Sequence, residues 1–341
     1  MGKQRTVSNR IRQSPGGFFS MLLGLALLSA VLSMCLGSVM ISPGEVLKAL
    51  MGGGAETTAA TIVRHIRLPR TLGCLLSGAA LAVSGAVIQS VLANPIAAPN
   101  IIGVNAGAGL MVVLCCAAAP AAVALVPVAA FIGALASVLL VLSIAQRTGA
   151  SRITLVLAGV AISSIFSAAI DAVLTFVPDA LNGYSDFRIG GFSNLPMNRV
   201  LPAFWIIVIC LAVTLFLSRE LDILLLGQET AQSLGLPAKR LRLVFLALAA
   251  ALSGAAVSFS GLLGFVGLIV PHIMRRLVGE ESLPLLTASA FGGAAFLTAC
   301  DILARTLFSP YELPVGIVLS LAGGPFFIWL LLHQRGGRTH D

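Results

Sequence analysis

The chain has 341 residues, of which 58% are hydrophobic and only 10% carry a charge. A soluble domain needs about a quarter of its residues charged to cover its surface, so most of this chain must face lipid or buried protein. That excludes a soluble enzyme, and it makes the +8 net charge an imprint of membrane orientation rather than a nucleic-acid surface.

Ten apolar segments follow one another, at roughly 19–41, 71–92, 101–119, 121–145, 153–176, 200–217, 243–263, 265–277, 284–307 and 314–333. Runs of about 18 or more apolar residues mark membrane-spanning helices. The eighth run is too short to cross a bilayer alone as an ordinary helix. The runs are continuous rather than alternating, which speaks against a β-barrel. The first, from Phe18 to Ile41, is too long for the apolar region of a cleaved signal peptide and reads as the first span behind a basic tail. The expectation is an all-α membrane protein, one transmembrane domain over 1–341 with no soluble domain appended.

Lys and Arg concentrate on the cytosolic side of membrane proteins. With ten spans and the N-terminus inside, 14 of the 21 basic residues fall on the cytosolic side, among them Arg147, Arg152, Lys239, Arg240 and Arg242. Both termini are therefore expected in the cytosol. The six cysteines lie in apolar segments without a CxxC pair, so they read as small buried hydrophobes rather than a metal site or disulfide framework.

Along the chain, HIRLPRTL at 65–72 sits just before the second span on the outer side. Arg67 and Arg70 flank Pro69 there and are expected to point outward, with Arg305 ending the ninth span on the same side. Two readings fit: docking of an acidic partner, or interfacial snorkelling to lipid phosphates. SGAALAVSG at 77–85 follows, and SGAAVSFSG returns at 253–261, shifted by 176 residues. Pro95 and Pro271, and Gly103 and Gly279, keep the same shift, and ITLVLAG at 153–159 is echoed by IVLSLAG at 317–323. The echoes divide the chain into repeats of about 71–176 and 243–333. Five spans separate equivalent helices, so the halves are expected to be inverted, as in many transport pathways.

The repeated string has a packing role. Gly78, Ala82 and Gly85 share one helix face, and Gly254, Ser258 and Gly261 repeat it. Small faces let membrane helices approach closely, so these helices should be central. Gln89 continues the first face and reads either as an interhelical hydrogen bond or as pathway lining. Asp171 and Asp301 are the acids most clearly inside spans. Asp301 stands four residues before Arg305 and is expected to pair with it. Asp171 has no sequence-local partner and is a functional candidate by default. Proline and glycine cluster at 94–109 and 261–279, where spans should break or bend. The longest polar stretch, 218–242, is expected to form one or two short helices on the cytosolic side. No GxxxxGK[ST] loop, HExxH or GxSxG is present, so neither ATP binding through that loop nor catalysis is expected of this chain.

These motifs together resemble the membrane permease subunits of binding-protein-dependent ABC importers for iron-siderophores, haem and cobalamin. The likeness runs from about residue 30 to 335 and rests on IRLPRTL, SGAALAVSGAVIQ, NPIAAPNIIGVNAGAG at 94–109, LGQETAQSLGLP at 226–237, GFVGLIVPHIMRR at 264–276, ELPVGIV and GGPFFIWLLL at 312–332. Only 171–199 matches loosely. The resemblance implies ten transmembrane helices in a type II importer permease of the cytoplasmic (inner) membrane. It implies a second copy as homodimer partner, two ATPase subunits that bind the ATP and Mg, and an extracytoplasmic substrate-binding protein. It assigns binding-protein docking to Arg67, Arg70 and Arg305, ATPase coupling to Glu229, Ala231, Leu234 and Gly235, and a cytosolic gate to Asn94 and Ile96. The cargo order it suggests is iron-siderophore, then haem, then cobalamin. The rival expectation is an ion-coupled secondary transporter working through Asp171.

Overall fold

The computed structural model describes residues 15–37, 39–52, 57–147 and 152–334. The basic residues Lys3, Arg5, Arg10, Arg12, Arg335 and Arg338 and the side chains of Arg152 and Glu229 lie outside the described set.

Each of the ten apolar segments contains a helix. α1 (Pro15–Cys35) is followed by α2 (Pro43–Leu50) and α3 (Thr58–Ile62). A π-turn over Val63–Arg67 joins α3 to α4 (Leu68–Leu92) without a break. A 3-10 turn at Pro99–Ile102 leads to α5 (Val104–Ala118), α6 (Val126–Arg147), α7 (Arg152–Phe176), the short α8 (Ala180–Ile189) and α9 (Met197–Phe216). α10 (Ser218–Leu225) and α11 (Gln228–Ser233) precede α12 (Ala238–Ser260), α13 (Val266–Val278), α14 (Ser282–Thr306) and α15 (Val315–Gln334). Among the described residues seven helices are long and apolar enough to cross a membrane, and two shorter apolar helices accompany them. The surfaces of α1, α7 and α9 leave many leucines, valines and isoleucines exposed, the belt expected of helices that face lipid.

The second span begins earlier than its apolar run suggests. The helix starts at Thr58 and carries RLPR inside it. Pro69 lacks the N–H an α-helix requires. The π-turn, in which Leu68 donates to the carbonyl of Val63, sets the proline at the first positions of the next helical segment, where the missing donor costs little.

α4 and α12 form the centre, as their small-residue faces require. α4 packs against α14, α12 and α13, and α12 packs against α4, α6 and α9. A Cβ built on Gly78 falls 2.2 Å from the Gly293 carbonyl oxygen, and one on Gly85 falls 1.9 Å from that of Gly267. Only hydrogen fits at either position. Ala82 sits against Gly293 on the same face. Gly254 lies against Ala134 and Phe131 of α6, and the Ser258 hydroxyl donates to Ala255 within its own helix. Gly261 is a correction to the repeat. It does not continue the face but ends α12 at φ +72°, where a Cβ would meet the Phe187 carbonyl oxygen at 2.5 Å. α4 thus runs on past Gly85 while α12 stops at its counterpart.

Candidate functional site

Three features carry chemistry: an ionic knot at one end of the bundle, a polar groove along α7, and a pair of short helices at the opposite end.

The knot gathers Arg67, Arg70 and Arg305, which the sequence places far apart. The side chains do not point outward. All three residues are buried, at 4%, 5% and 3% exposure, and each donates hydrogen bonds within the chain. The π-turn sends the two RLPR arginines different ways. Arg67 donates through Nη1 to the carbonyls of Met34 at 2.6 Å and Cys35 at 2.8 Å, and through Nη2 to that of Val39. It caps the C-terminus of α1, which ends at Cys35 rather than near residue 41. Arg70 grips Asp301 of α14, with Nε 3.0 Å from Oδ2 and Nη2 3.0 Å from Oδ1, and reaches Glu312 through Nη1 at 2.6 Å. Arg305 sits 3.6 Å from Asp301, the pair its spacing suggests, and donates to the hydroxyl and carbonyl of Ser33. Charged groups withdrawn from water must be paired and hydrogen-bonded, and the cluster meets most of that demand internally, Arg305 Nε being a buried donor that has only the 3.6 Å ion pair with Asp301 and no hydrogen bond. This corrects both the outward-pointing and the lipid-snorkelling readings. Glu312 has the most exposed side chain in the two Arg70 bridges, at 34%. Its part was not legible in the linear order, because 242 residues separate it from Arg70.

On α7, Ser163, Ser164, Ser167 and Asp171 line a groove of about 540 Å³ with Asn100 and Ile101. Asp171 is exposed there, and a carboxylate toward hydrocarbon is costly. The helix is otherwise apolar, so this stripe requires water or protein against it. Gln89 is elsewhere. It is buried between α4 and α13 and donates to the Gly267 carbonyl at 3.1 Å, which matches its interhelical-bond reading.

At the far end, α4 finishes at Ala93 in the left-handed region, and the Asn94 carboxamide oxygen accepts from the Ile96 N–H at 3.1 Å. That turn fixes the exit of α4. Nearby, α10 and α11 pack on the bundle through buried Leu221, Leu224 and Ala231, while Leu226 and Leu234 are left 65% and 60% exposed. Gly227 and Gly235, both at positive φ, bound the turn of α11. One residue that the sequence reading missed ties this segment to the core. Asp222 accepts from the backbone N–H of Ser282 at 2.8 Å, at the start of α14. α14 therefore spans from the α10 contact to the ionic knot. Among the described residues no cluster of three or more His, Cys, Asp or Glu side chains comes together as a metal-ligand set.

Comparison with known proteins agrees with this geometry. The haemin transport system permease protein of Yersinia pestis is 39% identical over 282 residues, covering 81% of this chain and 84% of that protein. The achromobactin transport system permease protein of Dickeya dadantii is 37% identical over 338 residues, 98% of this chain and 96% of that one. The solved structure of a metal-chelate type ABC transporter in an inward-facing conformation superposes with a TM-score of 0.81 at 28% identity, over 92% of this chain and 98% of that chain. Residues 25–333 match the FecCD transport family, and the chain belongs to that family: it is a permease subunit of an ABC importer.

Proposed function

We propose that two copies of this chain form the pathway of an ATP-driven importer for an iron-siderophore complex, with haem and then cobalamin as the next cargoes in order. The observation that carries this reading is the groove on α7. A polar stripe with an exposed Asp171, on a helix long enough to span, needs an aqueous neighbour, and a second copy facing it across a pathway supplies one. In this reading ten helices cross the inner membrane with both termini cytosolic.

The two halves are inverted. α4 runs from the knot toward the α10 end, while α12, its sequence echo, runs back. The packing of α4 on α14 and of α12 on α6 is what a pseudo-twofold relation between the halves produces, and it supports the assignment. Two ATPase subunits dock on α10 and α11, where Leu226, Leu234 and the Gly235 turn present an apolar surface outside the bundle. Glu229 takes part in that contact. ATP and Mg are bound in those subunits. Asn94 and Ile96 form the gate at the same end. The substrate-binding protein meets the knot face, where an acidic side chain from it exchanges with Glu312 for Arg70.

Reconstitution with the ATPase subunits and binding protein in vesicles tests this. Uptake of a ferric chelate is expected to require ATP and to survive collapse of ion gradients, and Asp171→Asn is expected to slow uptake while leaving ATP hydrolysis intact. Uptake that persists without the ATPase subunits and stops when the gradient collapses would establish the ion-coupled alternative instead.

A further inference from the structure

The segment between α1 and α4 carries an apolar surface that the bundle does not cover. α2 forms because Ser42 and Glu45 close a capping box, the Glu45 N–H donating to Ser42 Oγ and the Ser42 N–H to Glu45 Oε2. Pro43 stands in its first turn, where the missing donor costs little. A short helix needs one apolar stripe to pack on a bundle, and α2 has two. Val46 and Ala49 are buried in a small core with Ala60 and Val63. At about 100° per residue, Leu47, Leu50 and Met51 share a second arc beside that stripe. All three are exposed, as are Val39 and Met40 just before the N-cap, with Met40 and Met51 reaching 81% and 79%. Glu45 and Lys48 occupy the remaining side of the helix and are exposed too.

The height of α2 follows from its contacts. α1 has 21 residues, about 31 Å at 1.5 Å per residue, which matches the hydrocarbon core of a bilayer, about 30 Å thick. Arg67 donates to the carbonyls of Met34 and Cys35, so the π-turn stands level with the end of α1, at the edge of the hydrocarbon. α3 lies on the outward side of that turn, and α2 packs against α1, α3 and the turn itself. Arg64 pins the last turn of α2, its Nε donating to the Ala49 carbonyl at 2.7 Å. Arg64 precedes Arg67 by less than one helical turn, so this contact lies roughly 5 Å beyond the hydrocarbon edge. That is the head-group layer, in which amphipathic helices lie flat. Beside it, α1 exposes Leu28, Val31 and Leu32 near its end, so the free arc of α2 extends a surface that already faces lipid. A protein partner fits less well, because interface centres are rich in Trp, Tyr and Arg and the arc is aliphatic and methionine only. We propose that α2 is an interfacial helix lying in the head-group layer at the knot end, with Val39, Met40, Leu47, Leu50 and Met51 sunk against the ends of the acyl chains. Arg64 and Arg67 then moor the helix that carries RLPR to the membrane surface.

The test places the photo-cross-linker benzoylphenylalanine at single positions of the full-length permease. The importer is assembled with its ATPase subunits in vesicles of phosphatidylethanolamine and phosphatidylglycerol, binding protein is added, and adducts are identified by mass spectrometry. In place of Leu47 or Met51 the cross-linker is expected to capture phospholipid, and in place of Lys48 to capture several-fold less. Each leucine carried into hydrocarbon favours that placement by roughly tenfold or more. Leu47→Asp with Leu50→Asp is therefore expected to cut lipid capture from the Met51 position by about tenfold or more. Both side chains lie outside the small core, so this variant is expected to melt like the wild type, and the single-position captures test the proposal even where it does not. Capture of binding protein or of a second permease copy from Leu47 or Met51 overturns the proposal, and so does capture of nothing. Lipid capture from Lys48 equal to that from Leu47 overturns it as well, as does undiminished capture in a correctly melting double variant.

Discussion

Asp301 is wholly buried, and it accepts from Arg70 at 3.0 Å while Arg305 stands 3.6 Å away. Its neighbour in the same knot, Glu312, keeps a third of its side chain exposed. The two acids should therefore differ in what they hold. Breaking a buried pair by removing one partner costs about 3–5 kcal/mol, whereas exposed ion pairs contribute about 0–1 kcal/mol. Asp301→Asn is expected to lower the melting temperature strongly, read by a thiol-reactive dye on buried Cys74, and Glu312→Gln to leave it nearly unchanged. The same Glu312→Gln variant removes the group that competes for Arg70, so binding protein should dock several-fold more tightly. Unchanged docking would separate the knot from the docking face. The Asp301–Arg305 pair was legible in sequence because both lie on one helix four residues apart. Arg70's grip on Asp301 was not, since 231 residues separate them.

At the scale of elements, small residues set how closely helices meet. Gly85 allows α4 to touch the α13 backbone. Gly85→Ala puts a methyl inside that contact, and overpacking of this kind costs about 1–3 kcal/mol. The variant is expected to melt several degrees lower, while Gly24→Ala on α1, with nothing within 4 Å, should melt like the wild type. The short helices α10 and α11 connect to this core through Asp222, which tethers α10 to the start of α14. A charged hydrogen bond of this type contributes about 1.5–3 kcal/mol. Asp222→Ala is expected to cut ATP-driven uptake roughly tenfold or more while hydrolysis by the partner subunits continues. Uptake and hydrolysis falling together would instead mean that the tether serves assembly alone. The polar composition of 218–242 announced the short helices. It did not announce the tether, because its acceptor and donor come from separate elements.

For the whole molecule, the α7 groove makes a dimer prediction. Ser167→Cys in a cysteine-free background should cross-link two copies, giving a dimer band under mild oxidation. No cross-link at Ser164, Ser167 or Asp171 would remove α7 from the pathway. The sequence by itself determined that this is a bundle of apolar helices, the rough position of the ten apolar ones, that α4 and α12 are central, and that the family is that of importer permeases. These are properties of local composition and of strings that recur at a fixed shift, and a one-dimensional reading holds them whole. Only the tertiary structure decided which way the arginines turn, where α12 ends, and that Glu312 and Asp222 matter. Each of those depends on groups brought together across tens to hundreds of residues, where burial forces a charge or a backbone donor to find a partner that the linear order does not name.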